Sequence, residues 1–281
     1  MDTSVIADTF DAWVDNALTW VSDNLAFLFD GIRAVSEGFY DAVLWLLQLA
    51  PWFAVALVLG LIGWRVVGRS FGILTAVGLA ACWLMGLWPE TMSTFALVIS
   101  STCLALVLAL PIGVLAGFLP KLDHFVEPIL DLIQTMPPYI YLLPAIALLG
   151  FGPATALAAT LIVAMPPAIR LTSLGIRRTP VQFVELGQAT GMTPNQMFWK
   201  IRLPFALPSI MAGINQSLMM AFGMVVIAGI VGSGGLGESI YESIRTLDIG
   251  KSIDAAIAIV ILTIVIDRLT QNIVQTGKDA A

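Results

Sequence analysis

A chain of 281 residues that is 58% hydrophobic and only 11% charged is not a soluble globular domain, since those carry about a quarter charged residues; it reads as an all-α polytopic membrane protein. Its net charge of −6 is unevenly spread: residues 1–41 hold eight acids (Asp2, Asp8, Asp11, Asp15, Asp23, Asp30, Glu37, Asp41) and one base, Arg33, a balance of −7 that leaves +1 for the rest. That remainder has no basic stripe of the kind nucleic-acid binding demands.

The leader, residues 1–41, lacks the positive start and long apolar run of a signal peptide. Its apolar residues, from Phe10, Trp13 and Val14 through Val35 and Phe39, recur at helical spacing, while the acids share much of the other side. This predicts one or two amphipathic helices along the bilayer surface, with possible breaks at Gly31 and Gly38. The alternative is an acidic dock for a partner.

Beyond it, apolar windows near the roughly 20 residues needed to cross a bilayer run at 42–64, 71–88, 93–118, 129–150, 153–169, 209–231 and 253–272, which predicts about seven transmembrane helices. The first two form an accessory unit over residues 42–92, and the remainder a core over 93–275. The fourth and fifth windows carry Pro137, Pro138, Pro144, Pro153, Pro166 and Pro167, so both are expected to be irregular and to line a path. Cys82 and Cys103 fall inside windows and read as small buried hydrophobes without ligand-spaced partners. His124, the only histidine, reads as a solvated loop residue. Asp131 and Asp267 stand near the ends of their spans, within reach of water or a cation.

Lysines and arginines orient the chain. With the N-terminus outside, ten of them (Arg65, Arg69, Lys121, Arg170, Arg177, Arg178, Lys200, Arg202, Arg268 and Lys278) lie at or beyond cytoplasmic ends, against three outside (Arg33, Arg245, Lys251). The C-terminus is then cytoplasmic. Several of the five tryptophans Trp45, Trp52, Trp64, Trp83 and Trp88 stand near span ends, as interfacial anchors do.

Between the fifth and sixth windows lies a polar interruption, residues 170–208. Thr179-Pro180 with Gln182, and Thr193-Pro194 with Gln196, both have the spacing of an N-cap followed by a capping box. Gly191 between them suits a left-handed helix end. The segment therefore predicts a helix-turn-helix knob on the cytoplasmic side, which either touches a partner or packs on itself. Its Glu185, Gly191 and Ile201-Arg202-Leu203-Pro204 resemble the E-A-A-x-x-x-G…I-x-L-P loop of ABC importer permeases, with Leu186 and Gly187 in place of the two alanines. The stretches 134–152 (QTMPPYIYLLPAIALLGFG), 165–177 (MPPAIRLTSLGIR) and 215–237 (NQSLMMAFGMVVIAGIVGSGGLG) are similar to the glycine betaine/proline/choline permeases. The resemblance runs from about Thr94 to Gln271.

That resemblance implies a type I importer core in the cell inner (plasma) membrane and a set of partners. These are a separate cytoplasmic ATP-binding subunit, a periplasmic or extracellular substrate-binding protein and a second permease copy. No cofactor or catalytic residue is implied on this chain. Glu185, Gly191, Ile201, Leu203 and Pro204 would couple it to the ATPase. Gln134, Thr135, Asn215 and Ser217 are pathway candidates, although Asn215 and Ser217 serve equally well as interhelical glue. The run holding Gly232, Gly234, Gly235 and Gly237 permits a sharp turn at an outer gate. Gly250-Lys251-Ser252 copies only the tail of a nucleotide loop, with Arg245 where its first glycine belongs. Two other readings compete: a secondary transporter or channel, disfavoured by the lack of mid-span carboxylates, and a membrane enzyme, for which no metal or nucleophile constellation exists.

Overall fold

A computed structural model describes residues 3–279; Asp2 and the side chains of Phe10 and Lys278 lie outside the described residues. Among these, all regular structure is helical. The leader forms α1 (Thr3–Asn24) and the first part of α2 (Ala26–Leu49). The break between them is at Leu25 (φ −115°, ψ 17°) and not at Gly31 or Gly38. Both glycines face open space inside α2, where the cost of about 1 kcal/mol does not stop a helix of this length.

The window at 42–64 is not one straight rod. Pro51 has no N–H and drives Ala50 to extended backbone (φ −94°, ψ 142°). The chain turns by 97° into α3 (Trp52–Val66). Gly68, at φ +140°, then makes the turn into α4 (Arg69–Leu84). This hairpin is tight: a Cβ on Gly72 would lie 2.6 Å from the Gly60 carbonyl oxygen. Trp52 and Trp83 stack across it with centroids 4.5 Å apart, so these two tryptophans hold each other.

The core is a three-helix sandwich. α8 (Pro153–Arg177) packs between α5 (Trp88–Phe118) and α11 (Leu203–Ala228). In lipid there is no hydrophobic force between helices, so close packing of small residues carries the association. Gly113 and Gly117 form the α5 side of one seam. Added Cβ atoms would lie 2.7 Å from Thr172 Cβ and from Ile176 Cβ, respectively. Gly175 and Gly213 form the other seam, against Ala206 and Ser209 and against Ala168 and Leu171.

The two proline-rich windows differ. The fourth is broken: α6 (Pro120–Thr135) and α7 (Leu142–Leu149) meet at a 106° bend near Met136-Pro137, with a 3₁₀ turn over Pro138–Tyr141. The fifth is an unbroken helix, contrary to the expectation. Pro166 and Pro167 sit buried inside α8, enclosed by neighbouring helices, with Gly213 of α11 close to the Pro167 carbonyl. Packing on both sides holds α8 straight enough to continue through them.

α9 (Val181–Ala189) and α10 (Pro194–Met197) follow α8, and a π-helical stretch over Phe198–Arg202 leads directly into α11. α12 (Gly235–Thr246) lies against α5, α11 and α13 (Ile249–Asp279). Among the described residues, four helical runs are long and apolar enough to cross a membrane, and the number is six if each of the two bent pairs is one span. The 16-residue α4 is shorter and occupies the remaining predicted window.

Candidate coupling site and translocation pathway

The knob is smaller than the polar interruption, because its two ends belong to spanning helices: Arg170–Arg177 complete α8, and Leu203 onward is α11. Its first predicted cap is absent. Thr179 is buried and donates its hydroxyl to the Ile176 carbonyl at 3.0 Å, closing the end of α8. Pro180 then starts α9 without a side-chain cap. The second cap is present in full: Gln196 N donates to Thr193 Oγ1 at 3.3 Å, and Thr193 N to Gln196 Oε1 at 2.9 Å.

Between the caps, α9 ends in a Schellman motif. Met192 N donates to the Gly187 carbonyl at 2.9 Å, and Gly191 N to the Gln188 carbonyl at 3.0 Å. Gly191 holds φ +73°, a left-handed conformation that disfavours a side chain even though the surrounding space is open. Gly187 is buried where α9 meets the next turn; a Cβ there would lie 2.6 Å from Met197 Cε and 3.0 Å from Ile201 Cδ1. Ile201 is buried, Leu203 half-buried, and Pro204 and Glu185 exposed.

Aromatic contacts tie the knob to the core. Arg202 stands over the Phe118 ring at 4.7 Å, at the end of α5, and Phe198 packs on the same ring at 5.9 Å. Phe183 of α9 meets Phe205 of α11 at 4.8 Å. Phe118 is a residue the sequence reading missed; as an apolar side chain at a helix end it gives no pattern of its own. In the knob the apolar side chains of Val181, Leu186 and Trp199 are exposed.

Beside it, two ion pairs join α6 to α8. Arg177 pairs with Asp123, which also accepts from Ser173 Oγ at 2.7 Å. Two turns earlier on α8, Arg170 pairs with Asp131 and donates to Gln134 Oε1 at 2.6 Å. Gln134 is therefore engaged by Arg170, and Thr135 is exposed, with its hydroxyl donating to the Leu132 carbonyl.

The other pathway candidates belong to different surroundings. Asn215 donates to Asp267 Oδ1 at 3.2 Å and accepts from Thr270 Oγ1 at 2.7 Å, which links α11 to α13. Ser217 is fully buried, and its hydroxyl has no protein partner among the described residues. Gln134 and Asn215 thus have different hydrogen-bond partners, Arg170 and the Asp267–Thr270 pair.

At the far end of the core, the glycine run folds back on itself. Gly232, Gly234 and Gly235 all have positive φ (69°, 78°, 80°). Leu236 N donates to Thr94 Oγ1 at 2.7 Å, and Gly234 N to Glu238 Oε2 at 2.7 Å. A Cβ on Gly237 would lie 2.7 Å from the Val226 carbonyl, and one on Gly229 would overlap the Gly237 backbone.

A bundle with this knob and this glycine turn has known counterparts. Residues 109–276 match the family described as binding-protein-dependent transport system inner membrane component. The chain belongs to this family. Among its relatives, the glycine betaine/proline betaine transport system permease protein ProW of Escherichia coli (strain K12) is 38% identical over 270 residues, covering 96% of this chain and 75% of that protein. The glycine betaine transport system permease protein OpuAB of Bacillus subtilis (strain 168) is 38% identical over 268 residues, covering 95% and 94%. Among solved structures, a chain of the MetNI methionine ABC transporter, in inward-facing conformations, superimposes with a TM-score of 0.62 at 26% identity, covering 69% of this permease and 96% of that chain. The chain is an all-helical inner membrane component of a transport system.

Proposed function

We propose that this permease is half of the gate of an ATP-driven importer for a quaternary ammonium or related methylated-amine osmolyte, the class that includes glycine betaine, choline, proline betaine, carnitine and trimethylamine N-oxide. The relatives that span nearly the whole chain and are named for glycine betaine support the substrate class. The observation that carries the mechanism is the knob. It is a small unit braced on α5 and α11 by Phe118, Arg202 and Phe205, and it offers Val181, Leu186 and Trp199 to something outside the chain.

A separate ATPase subunit covers that face from the cytoplasm. The Lys/Arg balance supports a cytoplasmic knob and an outside N-terminus. Two permease copies pair, each with one ATPase. Closure of the ATPases moves the knobs as rigid bodies. The aromatic bracing passes that motion to α5 and α11, and with them to the seams around α8. A substrate-binding protein delivers solute at the opposite mouth.

Leu186→Asp tests the coupling by placing a charge on the exposed face without touching the bracing. The permease, its ATPase and its binding protein are reconstituted in proteoliposomes, and uptake and ATP hydrolysis are measured together. Binding-protein-stimulated hydrolysis and uptake should both fall more than about tenfold, the scale of a lost interfacial anchor of 2 kcal/mol, while membrane insertion and thermal unfolding stay as in the wild type. Unchanged uptake would remove the knob from the mechanism.

A further inference from the structure

At the end of the core opposite the knob, an open cleft of about 350 Å³ lies between the turn that joins α7 to α8 and the exposed side of α12. Its floor is the backbone of residues 229–232, closed by Gly152 N donating to the Val231 carbonyl at 3.1 Å. Its walls carry Phe151, Glu238, Tyr241, Glu242 and Arg245. The last four recur at a spacing that keeps them on one side of α12.

Three features of this lining belong together. Phe151 is largely exposed and Tyr241 half-buried, so aromatic surface faces the cleft. The Tyr241 ring already attracts a cation, since the Arg245 guanidinium carbon stands 5.8 Å from its centroid. Two carboxylates flank it. Glu238 uses one oxygen on Gly234 N, and Glu242 pairs with Lys251 at 3.5 Å. Arg245 itself has no carboxylate partner among the described residues. The cleft thus carries aromatic surface, two carboxylates and a guanidinium that now rests beside the Tyr241 ring.

We propose that this cleft is an entry site for the transported solute, which it takes as a methylated-ammonium zwitterion. The proposal rests on the importer reading of the chain. A quaternary ammonium has a charge but no N–H to donate, so it is held by π faces and the field of nearby carboxylates. A carboxylate on the same small molecule suits the free fork of Arg245. The volume lies at the lower end of the usual range for small-molecule sites, roughly 300–1,000 Å³. The contacts are few and open to water, which fits a site that must release what it takes.

The test uses the permease–ATPase complex in lipid nanodiscs without binding protein. Saturation-transfer NMR reads the N-methyl signals of two probes, glycine betaine and choline. Wild type should transfer to both, and a neutral carbon isostere of choline should receive much less. Tyr241→Leu and Glu242→Gln should each weaken transfer to both probes by about two- to fivefold, the scale of an exposed cation–π or charge contact. Glu238→Gln, which keeps an acceptor for Gly234 N, should do the same. Arg245→Gln should weaken glycine betaine and spare choline, which has no carboxylate.

Absence of transfer in wild type, equal transfer in the variants, or equal transfer to the neutral isostere would overturn the site. Variants that leave transfer unchanged but weaken binding-protein docking would make this face a docking surface, and the proposal would fail. Uptake of glycine betaine by the wild-type complex in proteoliposomes is measured in parallel. If uptake proceeds while the cleft fails these tests, only the cleft is wrong; if no methylated amine is imported, the importer reading fails as well.

Discussion

Single residues set the geometry at both ends of the core. Gly191 turns the knob through a left-handed conformation, so a β-branched replacement is strained whatever space surrounds it. Gly191→Val should cost the knob about 1–2 kcal/mol and reduce coupled ATP hydrolysis, while Gly191→Asn, which tolerates that conformation, should retain most of it; paired hydrolysis assays on the reconstituted complex compare the two. Gly187 stands where the resembled loop has its second alanine, and a Cβ there meets the flexible tip of Met197, which can move aside. Tyr40 is buried and shares a hydrogen bond of 2.8 Å with Ser93, tying α2 to α5. Tyr40→Phe should lower stability by about 0.5–1.5 kcal/mol, read as a lower unfolding temperature in detergent.

Among elements, the contact of α6 with α8 shows how burial ranks two similar ion pairs. Arg170–Asp131 is open to water, with the Asp131 side chain 63% exposed; Asp123, paired with Arg177, is 15% exposed and has Ser173 as a second donor. Exposed pairs contribute about 0–1 kcal/mol, and a half-buried carboxylate with two partners contributes more. Asp123→Ala should therefore destabilise by about 1–3 kcal/mol and Asp131→Ala by less than about 1 kcal/mol. Thermal unfolding of both variants at low and high salt checks the order, and the Asp131 effect should shrink more with salt.

The elements also show what the sequence could tell. Helix positions followed from hydropathy, and the second cap of the knob from Thr193 and Gln196, because both signals are local. Thr179 has the same local signal, yet its hydroxyl serves α8 instead, a choice made by where α8 ends. Pro51 broke a window that hydropathy joined, whereas Pro166 and Pro167 broke nothing, since α5 and α11 enclose α8. The Gly113-x-x-x-Gly117 spacing on α5 was a readable sign of close helix contact that hydropathy windows do not register. The hydrogen-bond partners of Gln134 and Asn215 were not readable, because they depend on which helices become neighbours.

The whole molecule joins two ends through a packed middle. The knob carries an exposed apolar face at one end, the glycine turn and the cleft of α12 lie at the other, and the α5–α8–α11 sandwich connects them through seams of glycine. Under the proposed mechanism, a displacement of the knob would be passed along the sandwich through these seams. The most direct measurement is uptake of glycine betaine into proteoliposomes that hold the permease with its ATPase and binding protein, compared between wild type and Leu186→Asp. The account predicts ATP-dependent uptake by wild type and its loss in the variant at unchanged stability. Uptake that continues in the variant, or that proceeds with no ATPase bound, would contradict it.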